Sequence, residues 1–182
     1  MLPKVSPVSI GGRIDGRTVF LRSLKVSDAL AEYAGWLNDP VVNQYLETRS
    51  VTLQNLREYI RSKNESDTAI LLGIFCRESG KHIGNVKLEP IDRDKKVATM
   101  GLLIGDKMYW GRGIGTEVVN LATSYAFETL RIGEVNLGVI SENKSAMRVY
   151  GKCNFIIDHI EKKAVDHDGV RYDQVWMKKC TS

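Results

Sequence analysis

The chain has 182 residues, a formal net charge of +4, and an ordinary soluble composition, 43% hydrophobic and 26% charged. That leaves room for one well-filled core and excludes a disordered or fibrous chain. The small positive surplus is scattered along the sequence rather than gathered into a stripe, which argues against a nucleic-acid partner. The longest near-continuous apolar stretch, residues 69–76, falls far short of the roughly 20 residues a membrane helix needs. The first dozen residues lack the apolar centre of a signal peptide, so a cytoplasmic location without a membrane partner is expected. Cys76, Cys153 and Cys180 are odd in number, far apart and without a Cys-x-x-Cys pair, and are expected as reduced thiols. Neither they nor His82, His159 and His167 show a metal-ligand spacing, so no metal is expected.

In chain order, residues 1–16, with Pro3, Pro7 and Gly11-Gly12, read as a flexible leader to a single domain over 17–182. Residues 18–22 form a plausible first strand. Ser27-Asp28 looks like a helix start, followed by Ala29, Leu30, Tyr33, Ala34 and Leu37 at helical spacing. Asn38-Asp39-Pro40 ends that helix, because the residue before proline disfavours α geometry. A second helix follows Thr52, with Leu53, Leu56, Tyr59 and Ile60 as its buried stripe. Three strands joined by short polar turns come next, at 69–76, 82–88 and 97–104. A helix opens after the glycine-rich turn Trp110-Gly-Arg-Gly-Ile-Gly-Thr116, with Ile114, Val118, Ala122, Tyr125 and Ala126 on one face. Residues 135–140 are β-rich, Asn143 can cap a further helix, and two strands around Asp166-His-Asp-Gly169 close the chain. The order β-α-α-β-β-β-α-β-α-β-β predicts an α/β (α+β) fold: a mixed, mostly antiparallel sheet with helices packed on it.

The glycine turn after a strand and before a helix is suited to an anion. Successive main-chain N–H groups can point at phosphate oxygens, the helix N-terminus adds its dipole, and Arg112 adds a charge. A P-loop string is missing, and Glu134 precedes its strand rather than ending it, which argues against a dinucleotide fold. A coenzyme A pyrophosphate loop fits the string; so does a helix-opening turn that merely needs glycine.

Residues 104–117, Ile-Gly-Asp-Lys-Met-Tyr-Trp-Gly-Arg-Gly-Ile-Gly-Thr-Glu, followed by Asn143-Lys-Ser-Ala-Met-Arg-Val-Tyr-Gly-Lys-Cys-Asn-Phe155, resemble the GNAT superfamily of acetyltransferases. Trp36-Leu-Asn-Asp-Pro40 and Asp168-Gly-x-x-x-Asp173 are similar to its ribosomal-protein N-terminal and spermidine acetyltransferase branch. The resemblance runs from about Thr18 onward. It implies that acetyl-CoA, as cosubstrate, lies in a V-shaped gap between two splayed parallel strands, Val97–Ile104 and residues 135–140. Leu102, Leu103 and Ile104 would pair with the pantetheine arm. Arg112, Gly113, Ile114, Gly115 and Thr116 would hold the pyrophosphate, Asn143 the cofactor arm, and Tyr150 would protonate the leaving thiolate. The acceptor implied is an amine: a small amine, an amino sugar or a protein N-terminus.

Three departures accompany the resemblance. Trp110 fills a position often held by Gln or Arg, and Asn154 stands where glycine usually ends the helix in left-handed geometry, a place asparagine tolerates. Thr99 occupies the place of a glutamate that serves many relatives as base, and threonine cannot do that work near neutral pH. Glu89 on the preceding strand is the substitute expected, acting through water, with Asp92 as another. The alternative is a catalytically silent acyl-CoA-binding or regulatory module of the same fold, and a third reading is a phosphate-binding module for ordinary nucleotides. A monomer or a homodimer fits either of the first two.

Overall fold

The computed structural model describes residues 12–167 and 169–181, so residues 1–11 of the expected leader and Asp168 lie outside the described residues. Strands β1 (Ile14–Asp15) and β2 (Val19–Ser23) open the chain. Helices α1 (Ala31–Asn38), α2 (Pro40–Asn43) and α3 (Leu53–Asn64) follow, then the meander β3 (Ile70–Cys76), β4 (His82–Asp92) and β5 (Val97–Ile104). Helix α4 (Ile114–Ser124) runs on into a π-turn (Tyr125–Thr129); β6 (Glu134–Ile140), α5 (Lys144–Lys152), β7 (Ile156–His167) and β8 (Val170–Cys180) complete it. One eight-stranded sheet results, in the order β1-β2-β3-β4-β5-β6-β8-β7. Every neighbouring pair is antiparallel except β5 and β6, which are parallel.

The first helix begins later than its periodicity suggests. The Asp28 carboxylate is held by Arg22 at 2.8 and 2.9 Å and by the Lys25 N–H at 2.7 Å. That leaves Val26–Asp28 as a single 3-10 turn, with Ala29 at ψ 73°, outside helical geometry. The stop at Asp39 is as expected: its extended backbone (ψ 116°) precedes Pro40, and its side chain caps the short α2 through the Val41 N–H at 2.9 Å. Thr52 caps α3 in the same way, accepting from the Asn55 N–H at 3.1 Å.

Period-2 alternation in the strands sorts side chains onto two faces. On one, Val86, Leu88, Ala98, Met100, Val135, Leu137, Val175 and Met177 bury against Ile114, Val118, Ala122 and Ala126 of α4 and its π-turn, with Tyr150 and Phe155 from α5 and the turn after it. On the other, Leu71 and Phe75 meet Tyr33 and Ala34 of α1 and Leu56 and Ile60 of α3. The first cluster carries α4 and α5 against the centre of the sheet; the second covers only its β2–β4 half. Among the described residues, that second cluster includes none from β5, β6 or β8.

Candidate active site

The parallel pair comes apart. Strands β5 and β6 are in register only at Val97↔Glu134, Ala98↔Val135 and Thr99↔Asn136. Beyond Thr99, β5 stays with β4 as far as Gly84↔Ile104, and β6 stays with β8 as far as Ile140↔Gln174. Each strand follows its own antiparallel partner, and the sheet opens between them. The main-chain direction at the edge follows from the ladder. The Lys96 carbonyl accepts from the N–H groups of Gly133 and Glu134, on the β6 side, while the Gly105 N–H donates to the Ile83 carbonyl, on the β4 side. Alternation then turns the main-chain groups of Met100, Leu102 and Ile104 toward the gap and those of Leu103 toward β4. The Ile104 carbonyl accepts the Trp110 indole N–H at 2.8 Å. Met100 and Leu102 face the opening with no strand opposite, an edge that an extended molecule can complete.

The glycine turn lies directly beyond this edge. Gly111 (φ 72°) and Gly113 (φ 80°) adopt left-handed backbone that only glycine takes at low cost. Gly113 is the N-cap of α4 and supplies no side chain, so no capping bond forms there. The first intrahelical bond is from the Glu117 N–H to the Gly113 carbonyl. The N–H groups of Ile114, Gly115 and Thr116 thus stand open at the positive end of an 11-residue helix. Arg112 is exposed beside them, its guanidinium over the Tyr109 ring at 5.7 Å. Glu117 in the first turn is not part of the opening; it accepts from the Thr18 N–H and hydroxyl at 2.8 and 2.5 Å and fastens α4 to the start of β2.

Helix α5, which carries Asn143 and Tyr150, packs beside the glycine turn, Val149 lying 3.6 Å from where a Cβ on Gly115 would sit. Asn143 is the N-cap, its Oδ1 accepting from the Ala146 N–H at 3.1 Å. At the other end, the Phe155 N–H reaches the Tyr150 carbonyl and the Asn154 N–H the Gly151 carbonyl, with Asn154 at φ 65°. This is a Schellman cap, completed by the Tyr150–Phe155 ring contact at 5.8 Å. It fixes Tyr150 in the core, 7% exposed. Burial, with a smaller contribution from Cys153, pushes its phenol up to about 12. Tyr150 is therefore protonated across the physiological range, and its hydroxyl has no partner among the described residues.

The opposite, α3-side face of the sheet carries Lys87, Glu89, Thr99, Gly101, Asn136, Gly138, Gln174, Trp176 and Lys178. At the point where the strands part, the Thr99 hydroxyl donates to Asn136 Oδ1 at 2.7 Å. Glu89, the expected base, is instead clamped: Lys63 of α3 bonds one carboxylate oxygen and Lys87 lies 3.1 Å from the other. Burial raises its pKa, but those hydrogen bonds and charges outweigh it and hold the carboxyl below its usual range. A carboxylate so stabilised is a poor proton acceptor. Asp92, the other substitute, turns outward to its own β-turn, bonding the Lys95 N–H at 2.9 Å. Asn136, Lys63 and Lys87 were not readable as site residues; they lie on three separate elements, in strings no different from solvated surface. Trp36 packs across Gly105 and against His82 (centroids 5.1 Å apart) as core. His82 is half-buried, and that desolvation lowers its pKa, which favours the neutral ring.

Comparison with known proteins gives the arrangement a family. Residues 18–156 match the family model described as "Acetyltransferase (GNAT) domain". "Probable N-acetyltransferase YjcK" of Bacillus subtilis is 32% identical over 169 residues, covering 88% of this chain and 92% of that protein. Spermidine N(1)-acetyltransferase of Escherichia coli K12 is 30% identical over 79 residues, 43% of this chain and 42% of that protein. Among solved structures, spermidine N-acetyltransferase from Vibrio cholerae, in complex with CoA and spermine, superposes with a TM-score of 0.83 at 21% identity over 90% of this chain and 95% of that one. The Microcin C7 self-immunity acetyltransferase MccE, in complex with acetyl-CoA and AMP, gives 0.79 at 23% identity over 91% and 94%. At those identities the superpositions speak for the fold. With the family model spanning three quarters of its length, this chain belongs to the GNAT family of N-acetyltransferases.

Proposed function

We propose that the protein transfers the acetyl group of acetyl-CoA to a primary amine by direct attack, without a covalent enzyme intermediate. The observation that carries this is an unpaired strand edge at Met100–Leu102 beside an uncapped helix end at Gly113, with Leu102 of β5 and Val149 of α5 both within 4 Å of where a Cβ on Gly115 would sit; Tyr150, next in α5, is the phenol we assign as acid. The edge suits the amide-bearing pantetheine arm, and the N–H groups of Ile114, Gly115 and Thr116, with Arg112, suit a pyrophosphate. Asn143 offers its amide N–H groups to the arm. Neighbours of the same fold crystallised with CoA or acetyl-CoA support the assignment of the donor.

The reaction is R–NH2 plus acetyl-CoA giving R–NH–CO–CH3 plus CoA–SH. The nitrogen lone pair adds to the thioester carbonyl, and the oxyanion that forms needs a preorganised donor, which the Met100 or Leu102 N–H at the gap supplies. As the C–S bond breaks, Tyr150 donates its proton to the sulfur, and the proton shed by nitrogen passes through water to restore the Tyr150 hydroxyl. Thr99 in place of a carboxylate favours one other reading, a silent acyl-CoA-binding module. Thiol release from acetyl-CoA over a panel of primary amines separates the two: amine-dependent release is the expected result, and tight acetyl-CoA binding with no release on any amine would leave only the silent module.

A further inference from the structure

The connection from β5 to α4 is fastened along most of its length. The Gly105 and Asp106 N–H groups both donate to the Ile83 carbonyl, at 2.9 and 3.1 Å. Asp106 accepts from the Met108 N–H at 2.9 Å and from Lys81 at 2.8 Å, and Lys107 reaches Asp39, the cap of α2, at 2.6 Å. The N–H groups of Tyr109 and Trp110 then close the 3-10 turn Lys107–Tyr109 on the carbonyls of Asp106 and Lys107, at 3.0 and 3.1 Å.

After Trp110 the fastening stops. Among the described residues, the N–H groups of Gly111, Arg112 and Gly113 make no hydrogen bond, and a Cβ on Gly111 or Gly113 would meet nothing within 4 Å. A turn with so little packing of its own takes its place from its two ends. One end is α4, set in the core by Ile114 and Val118 and tied to β2 through Glu117. The other is Trp110, whose side chain turns back to β5 and donates its indole N–H to the Ile104 carbonyl at 2.8 Å. The ring is 42% exposed, so apolar burial does little to hold it, and the directional bond sets its orientation. A donor that lies along the β5 edge and ends on the Ile114–Thr116 N–H groups spans this turn. Two contacts made by one molecule reinforce each other only where their separation matches the molecule, whereas each contact alone is indifferent to that separation.

We infer that Trp110 is a positioning residue for the donor: its indole N–H, bonded to the Ile104 carbonyl, sets the offset between strand edge and helix end at which one acetyl-CoA engages both. This rests on the proposed placing of the pantetheine arm and the pyrophosphate. The same bond shortens the usable edge. The Ile104 carbonyl is already engaged by the indole and Leu103 turns toward β4, so the arm pairs with Met100 and Leu102.

The test uses two variants. Trp110→Phe keeps an aromatic ring and loses the N–H; Trp110→Gln carries an amide nitrogen as many bonds from Cβ as the indole nitrogen. Each variant and the parent are titrated with acetyl-CoA by calorimetry. ADP, which brings the pyrophosphate without the arm, and S-acetylpantetheine, which brings the arm without the pyrophosphate, are titrated by NMR. In Trp110→Phe the acetyl-CoA Kd should rise about fivefold or more, the factor one hydrogen bond is worth. The Kd of each fragment should stay within about twofold of the parent's, because neither fragment spans the turn. Trp110→Gln should bring acetyl-CoA back to within about twofold of the parent by restoring a donor to Ile104. A loss for either fragment as large as that for acetyl-CoA overturns the inference, since Trp110 would then merely frame one contact. So does an unchanged acetyl-CoA Kd in Trp110→Phe, and so does a glutamine variant as weak as the phenylalanine one, which would assign the effect to the ring. Tighter acetyl-CoA binding by Trp110→Phe overturns it in the other direction, showing an indole that bars the arm from Ile104. If the parent binds acetyl-CoA and Gly113→Val binds it equally well, the placing of the pyrophosphate fails first, and the inference with it.

Discussion

The two sides of the opening are built from different materials. On the proposed cofactor side, the groups on offer are mostly main chain: an edge of β5 without a strand partner, a helix start without a side-chain cap, and beside them Asn143, which also caps α5. On the acceptor side they are side chains drawn from β4, β5, β6, β8 and α3, each engaged with another across the sheet. A backbone site constrains sequence strongly, because only glycine reaches φ 72° and 80° cheaply and only a few residues cap a helix. A side-chain site built across strands leaves no string at all. Substitutions should therefore divide cleanly, some striking donor binding, some turnover, and some only the frame that holds the two sides together.

The largest effect belongs to Tyr150, the proposed acid. Tyr150→Phe removes one hydroxyl from a buried ring, keeping the Phe155 contact and the Schellman cap. Turnover should fall by about 10²–10³, in the range a general acid contributes, while acetyl-CoA affinity measured by calorimetry stays within about twofold. A matched loss of affinity would place the hydroxyl in binding rather than in chemistry. Gly113→Val is the opposite case. A β-branched residue at φ 80° costs at least about 1–2 kcal/mol, so the turn must shift and carry the N–H groups of Ile114, Gly115 and Thr116 with it. Acetyl-CoA affinity should drop at least tenfold, and turnover at saturating donor should recover much of its value. Unchanged affinity would remove the helix end from the pyrophosphate site.

How much of this was legible follows the same division. Apart from the two-residue β1, which falls in the expected leader, and the short α2, the order of elements and the β5 limits, Val97–Ile104, could be read directly, because alternation and turn strings are local signals. The start of α1 could not, since Asp28 is claimed by Arg22, a partner on another element. Asn143, Gly113 and Tyr150 were marked by their strings. Glu89 was marked by residue type alone, and the lysines that change its meaning come from two elements, one of them distant in sequence. Asn136, with no motif around it, acquires its place only when β6 is laid beside Thr99.

A middle-sized effect is expected from the fastening between β2 and α4. Burial raises the Glu117 pKa, but bonds from the Thr18 hydroxyl and from main-chain N–H groups outweigh it and hold the carboxyl below its ordinary value. The folded protein then binds fewer protons here than the unfolded chain. The stabilisation is present above the unfolded pKa near 4.3 and is lost as pH falls through the folded value. Glu117→Gln should cost about 1 kcal/mol at pH 7 after solvent screening, a fall in Tm of about 2–4 °C, and the deficit should close well below pH 4. A deficit that persists in acid would mean that shape, not charge, holds the contact.

The smallest effect concerns Asn154. It sits at φ 65° in the left-handed position of the cap that ends α5, and both cap bonds are main-chain bonds, one from its own N–H and one from that of Phe155, so its amide side chain takes no part in them. Glycine lacks the Cβ crowding that makes this geometry costly for other residues, but it also gives the unfolded chain more freedom to lose. The two oppose each other, and asparagine is already the more tolerant of the non-glycine residues. Asn154→Gly should therefore change stability by no more than about 0.5–1 kcal/mol, in the stabilising direction, a Tm shift of about 1–4 °C upward. Because the cap bonds are retained, Tyr150 keeps its place, and both turnover and acetyl-CoA affinity should match the parent. Lost turnover with a rise in Tm would show that residue 154 reaches the reaction through something other than the end of the helix.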